Sequence, residues 1–192
     1  RATSGAAKAL LGKVYLTMKN YKDAETKLAE VITSNRYSLL ENTSGSLNIN
    51  GYAAVFNANN HNNSESVFDV QFKKGGFGEG SNFPNTFAPE NSGTNVVPLG
   101  STGGNNLPGD DMINSYEPGD LRKGFSVASG YYDARKNGAW VESKYIKKYF
   151  DTPYKDGDSN NNFPVIRFAD VLLMYSEALN QNGKTADACT YL

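Results

Sequence analysis

The sequence holds one cysteine, one histidine and one tryptophan in 192 residues. A single cysteine, Cys189, excludes an intrachain disulfide. Its neighbours Ala188 and Leu192 lead us to expect a small buried hydrophobe there. A single histidine, His61, excludes a His/Cys metal cluster. It also leaves a Ser-His-Asp triad only one candidate base, and no Gly-x-Ser-x-Gly elbow accompanies it. The Asn-rich run around it, Asn57 to Asn63, predicts an exposed loop. No apolar run approaches the roughly 18 residues that a membrane-spanning helix needs. Neither sign of charge dominates, with 19 Lys and Arg against 20 Asp and Glu. Nucleic-acid binding needs a concentrated basic surface, so nucleic acid is excluded as the main partner. The densest basic run, Lys144-Tyr-Ile-Lys-Lys148, is short and is read as a solvated face.

Two partial motifs fail on inspection. Asp156-Gly-Asp-Ser-Asn160 has the first oxygen ligands of a calcium loop. Asn161 stands where that loop needs Gly, and Arg167 where it needs Glu, so the stretch is read as a solvated loop. Gly75-Gly-Phe-Gly-Glu-Gly80 follows a predicted strand but continues with Ser81. Asn82-Phe-Pro84 is read as opening no helix for a pyrophosphate. No cofactor is called for.

What is present is helical at both ends. Ala7, Leu11, Val14, Tyr15 and Met18 make one stripe at helical spacing, and Tyr21, Ala24, Leu28, Val31 and Ile32 a second. Asn20 is the predicted cap between them, with Asp23 favouring the positive helix end. Leu11-Gly12, Tyr15, Tyr21, Ala24 and Leu28 follow the small-and-bulky alternation of a tetratricopeptide hairpin. Ser176, Leu179, Thr185, Ala188 and Leu192 repeat it, with Gly183 as the break. The helix entering that second copy is predicted to be capped by Asp170. Leu172, Tyr175, Ala178 and Leu179 would form its apolar stripe.

The middle is different. Ser66 to Phe72 alternates as a half-buried strand with Phe68, Val70 and Phe72 on one face. Gly75 to Gly109 has no periodicity. Such a long stretch inside a compact domain is more often functional than structural. Asp111 to Tyr116 predicts a short helix burying Met112, Ile113 and Tyr116, and Asp120 is expected to cap another. Gly130 to Phe150 is dense in aromatics and is read as irregular.

Four blocks, in order, resemble the SusD/RagB family. They are Arg1 to Leu16, Asn63-Ser-Glu-Ser-Val-Phe-Asp-Val-Gln-Phe72, Asp111 to Arg122, and above all Asn162-Phe-Pro-Val-Ile-Arg-Phe-Ala-Asp-Val-Leu-Leu-Met-Tyr-Ser-Glu-Ala-Leu-Asn180. The resemblance implies a mostly α fold of tetratricopeptide-like hairpins carrying a long loop-rich, sparsely β insertion. One SusD-like domain would hold a hairpin over 1–35, the insertion over 36–162 and the start of a second hairpin over 163–192. Both ends are expected to be cuts through a longer protein. Family members are surface-exposed outer-membrane lipoproteins that bind nutrients, mostly glycans, beside a TonB-dependent β-barrel transporter. An oligosaccharide or other nutrient and that transporter are therefore the implied partners. The membrane would be touched only through a lipid anchor outside this segment, and no covalent chemistry is implied. Asp120 with Arg122 is expected to fix a turn, and Arg167 to form a structural ion pair.

The family's binding residues lie in variable loops, so candidates come from chemistry. Sugars present apolar C–H faces to flat aromatic rings and hydroxyls to amide or charged side chains. Trp140, Tyr131, Tyr132 and Asn137 are the leading candidates, with Asp133 and Arg135 between them and Phe83 and Asn85 behind. Two rivals remain. One is a tetratricopeptide-type interaction module without a small ligand. The other is a glycan-degrading enzyme using a carboxylate pair from among Asp110, Asp111, Glu117, Asp133 and Glu142.

Overall fold

The computed structural model describes residues 3–41 and 50–192. Helices dominate the described chain, as expected, and two small two-stranded sheets accompany them. The segments group into two compact units, described in turn.

The first unit contains the segments up to Leu40, Asn62–Val70 and Pro164–Leu192. Helix α1 (Ser4–Thr17) starts at Thr3, whose side chain accepts the Ala6 N–H at 3.1 Å. Helix α2 (Tyr21–Ile32) is capped by Asn20, as predicted. The face that α1 buries is not the predicted one. Ala6, Ala9 and Gly12 are buried, while Leu10, Leu11, Val14 and Met18 are exposed. The reason is close approach: a Cβ on Gly12 would lie 2.7 Å from Leu28 Cγ, so only the smallest side chains fit against α2. The α2 stripe of Ala24, Leu28 and Val31 is buried as read.

Strand β1 (Ser66–Val70) pairs with β4 (Phe163–Arg167). The half-buried strand read from the alternation is present: Val67 enters the core, Phe68 packs against it and Val70 is exposed. Alternation sets the period of a strand but not which face is inward. Helix α7 (Phe168–Gln181) begins two residues before Asp170, which sits in its first turn rather than at its cap. Phe168, Val171, Met174 and Ala178 join Ala24, Leu28 and Val31 of α2 in one core. Gly183, at φ +78°, turns the chain into α8 (Thr185–Ala188). There Ser176 Oγ donates to the Ala188 carbonyl at 2.9 Å, so the small residues of the repeated hairpin do meet. Cys189 is exposed rather than buried, because Ala188 is the residue turned inward.

Glu65 organises this unit. It is buried, and its carboxylate accepts from Arg167 Nη1 and from the Leu40 N–H at 3.2 Å. Its own carbonyl accepts the Phe168 N–H at 2.8 Å, and its N–H donates to Asn63 Oδ1 at 3.0 Å. The expected ion pair of Arg167 is thus present. Breaking a buried pair leaves a charge poorly compensated and typically costs about 3–5 kcal/mol. Arg167 is partly exposed, so Glu65→Ala is expected to cost somewhat less, roughly 2–4 kcal/mol. Chemical denaturation measures it, and a change below about 0.5 kcal/mol, the size of an ordinary surface substitution, would refute the role given to Glu65.

The second unit contains Gln71–Phe163 and the described residues of Glu41–His61. Its helices are short: α3 (Asn50–Val55), α4 (Phe83–Phe87), α5 (Asp110–Asn114) and α6 (Leu121–Ser126). One turn of helix, α4, therefore forms where none was expected. Asp120 caps α6 and grips Arg122 through both carboxylate oxygens, as predicted. In α5, Met112 is exposed while Ile113 is half-buried. Tyr149 is the centre of an aromatic core. Its ring centroid lies 5.7 Å from Phe56, 5.3 Å from Phe83 and 6.1 Å from Phe87.

The residues from 127 to 146 are not irregular. They form an antiparallel hairpin of β2 (Val127–Asp133) and β3 (Ala139–Ile146), joined through Asn137 at φ +54° and Gly138 at φ +74°. Both turn residues adopt the left-handed conformation that Asn and Gly tolerate best.

Candidate functional site

The hairpin determines which aromatics can meet a ligand. Tyr132 and Trp140 are direct cross-strand partners, so they share one face of the sheet. Their ring centroids are 5.0 Å apart at 67°, an edge-to-face pair. Both are open to solvent, Tyr132 at 69% and Trp140 at 45%. Trp140 lies over the bare backbone of Gly130: a Cβ there would come within 2.5 Å of the indole Cζ2. The indole is thus supported from below while its outer surface stays free. Beside it runs a cleft of about 570 Å³ lined by Leu107, Ser129, Trp140, Glu142 and Lys144. Lys144 is ion-paired with Asp110. An aromatic surface edged by carboxylate, ammonium and hydroxyl groups can cover a sugar ring's apolar face and bond its hydroxyls.

The other candidates are placed elsewhere. Tyr131 pairs with Val141 on the opposite face and is only 8% exposed. Alternation along a strand sends neighbouring side chains to opposite sides, so Tyr131 and Tyr132 cannot act together. Phe83 stacks on Phe87 in the aromatic core. Asn85 is buried. Its Nδ2 donates to the carbonyls of Leu99 and Ser101, both at 2.9 Å, and its Oδ1 accepts the Gly157 N–H. It holds loops together. Asn137 is exposed at the hairpin turn, away from the cleft lining.

Asp133 and Arg135 fix the hairpin tip. The Asp133 carboxylate accepts from Arg135 Nε at 2.9 Å, from the Arg135 N–H at 3.0 Å and from Asn95 Nδ2 at 3.0 Å. Asn95 Oδ1 in turn accepts the Ala134 N–H. The Arg135 guanidinium holds the Asp133 carboxyl down to about 2, against the opposing effect of burial. A carboxyl held so low stays ionised at neutral pH and cannot donate a proton as a general acid. Asp156 and Asp158 are likewise committed, to Ser101 and to the backbone of Gly75 and Gly76. Among the described residues no group of three His, Cys, Asp or Glu could hold a metal ion. His61 is half-buried rather than exposed, with Nε2 2.6 Å from the Asn160 carbonyl.

The hairpin had one legible signal, the Asn137-Gly138 pair between two β-rich runs. Glu142 and Lys144 become visible as cleft residues only once the register is known.

Residues 121–192 match the SusD family. Over the whole chain, the sequence is 25% identical to SusD-like protein P25 of Formosa agariphila, of which it spans 41%. A SusD-like protein of Bacteroides ovatus is 30% identical over 96% of this chain and 37% of its own length. The fold is shared with surface glycan-binding protein A of Bacteroides thetaiotaomicron, solved with laminarihexaose. The TM-score is 0.76 at 18% identity, over all of this chain and 46% of that one. The family match thus covers the C-terminal part of the chain, which spans about two fifths of the curated SusD-like relatives it matches.

The Asp133 clamp makes an acid-range prediction. The folded carboxyl sits at about 2 and the ordinary value is 3.8. Its contribution is complete above the ordinary value and is lost as pH falls through the folded one, because the unfolded state binds the proton first. Asp133→Asn is expected to flatten the rise of stability between about pH 2 and pH 4. Urea midpoints measured across that range test this, and an unchanged slope would contradict the clamp.

Proposed function

We propose that this chain forms part of a non-catalytic, surface-associated bacterial protein that captures an oligosaccharide. On this reading it is an outer-membrane lipoprotein that passes the sugar to a partner TonB-dependent β-barrel transporter. The observation that carries the reading is the Trp140–Tyr132 pair, two large rings left open to water on the paired strands β2 and β3, while Tyr131 beside them is buried on the opposite face. Exposing such a surface forgoes burial worth about 25 cal/mol per Å². A stacking role for a ligand's apolar face explains that arrangement. Support also comes from the shared fold with a surface glycan-binding protein solved with laminarihexaose.

The interaction-module reading keeps one observation in its favour, the exposed row of Leu10, Leu11, Val14 and Met18 on α1. It expects peptide binding that survives deletion of residues 75–109.

Calorimetry on the full-length protein with a panel of oligosaccharides tests the glycan reading. Trp140→Ala is expected to weaken binding about tenfold or more, equivalent to about 1.4 kcal/mol. Unchanged affinity in that variant would remove the hairpin from the site. Co-purification of the β-barrel partner tests delivery separately.

A further inference from the structure

We propose a second oligosaccharide contact on this chain, formed by residues 73–80 together with Tyr154 and the polar cleft beside them. The proposal rests on the carbohydrate reading and extends it to a surface that shares none of the residues of the Trp140 cleft.

Phe77 and Tyr154 are among the most exposed large aromatics described, at 67% and 62%. Lone exposed aromatics are ordinary. These two flank the same pair of residues. A Cβ on Gly75, at φ +132°, would lie 2.7 Å from the Phe77 ring. One on Gly76, at φ +82°, would lie 3.2 Å from the Tyr154 ring. Both rings therefore sit against bare backbone, in a conformation that only glycine adopts easily. Only a side chain as small as hydrogen lets them approach.

The loop that presents them is tied down at several points. Lys73 N–H donates to the Glu79 carbonyl at 2.8 Å and closes it. Buried Asp158 accepts the N–H of Gly76 at 2.7 Å and of Gly75 at 3.3 Å through one oxygen. Lys74 Nζ reaches both Asp151 oxygens at 2.9 Å and the Thr152 carbonyl at 2.8 Å. Tyr154 N–H donates to the Asp158 carbonyl, and Ser81 and Ser159 exchange a backbone pair at 2.8 Å. An exposed, pre-positioned surface loses little conformational freedom on binding.

Alongside lies a cleft of about 790 Å³ whose lining includes His61, Gln71, Lys73, Glu79 and Asn160. That volume is in the range of small-ligand sites. The His61 contact with the Asn160 carbonyl makes Nε2 the donor, so the neutral ring offers Nδ1 as an acceptor. Lys73, whose Nζ lies 5.1 Å from the Phe77 ring centroid, and Glu79 bring charges of opposite sign to the lining. Amide, imidazole and charged groups beside two exposed rings fit the hydroxyls and apolar faces of an oligosaccharide.

The test uses the full-length protein with laminarihexaose, cellohexaose, maltohexaose and xylohexaose. Calorimetry is run on the wild type, on Trp140→Ala, on Tyr154→Phe and on the Phe77→Ala/Tyr154→Ala double variant. Hydrogen exchange of the wild type with and without sugar reads residues 73–80 directly, so the test survives a poorly folding variant. The expected result is affinity reduced at least about fivefold in the double variant, near-wild-type affinity in Tyr154→Phe, and protection of 73–80. Binding that Trp140→Ala weakens but the double variant leaves within twofold, with no protection at 73–80, would overturn this inference and spare the proposed function. Failure of the wild type to bind any of the four sugars would overturn both.

Discussion

The Glu65–Arg167 pair is the constraint on which the helical unit depends. Glu65 reaches back to Leu40, and Arg167 stands where β4 becomes α7. The same glutamate accepts the first N–H of α7 through its main chain. Chain segments far apart in sequence are thereby joined at one buried point. Charged groups taken out of water repay their desolvation only when every remaining bond is made. Glu65 comes close to that condition, with partners from the main chain and from a guanidinium. Its flanking residues serve it: Asn63 bonds the Glu65 N–H, and Ser64 Oγ bonds the Ser38 carbonyl.

The same logic recurs in the second unit, where carboxylates hold loops. Asp133 fixes the hairpin tip, Asp158 the Gly75-Gly76 turn, Asp151 the Lys74 side chain and Asp156 the Ser101 hydroxyl. Acidic residues committed to such work are poor candidates for covalent catalysis. The aromatics divide in a complementary way. Tyr149, Phe56, Phe83 and Phe87 fill the interior, while Trp140, Tyr132, Phe77 and Tyr154 lie outside on strands and loops that those carboxylates hold. Rigid loops that display flat rings are suited to ligands recognised by shape and hydroxyl pattern.

Much of the frame was legible in the sequence. Helical spacing marked α1, α2 and α7, Asn20 and Asp120 were readable caps, and the block around Phe163–Asn180 carried the family. What failed was facing. In α1 the larger hydrophobes suggested the buried side, but contact between helices selects the smallest residues, Ala6, Ala9 and Gly12. In β1 the alternation was legible but not which face turns inward, since neither face of Ser66–Val70 is polar throughout. At the site, Trp140 and Tyr132 were named from composition, but their pairing depends on strand register across the Asn137-Gly138 turn. Tyr131 and Asn85 look equally suitable in one dimension. Only burial separates them from Tyr132.

The central claim is that paired helices are frame and that the strands and loops of the second unit meet the ligand. Hydrogen exchange of the full-length protein, with and without the tightest-binding oligosaccharide of a calorimetric panel, tests it most directly. The account expects new protection within residues 127–146 and none across α1, α2 and α7. Protection confined to those helices, with the hairpin unchanged, would contradict it.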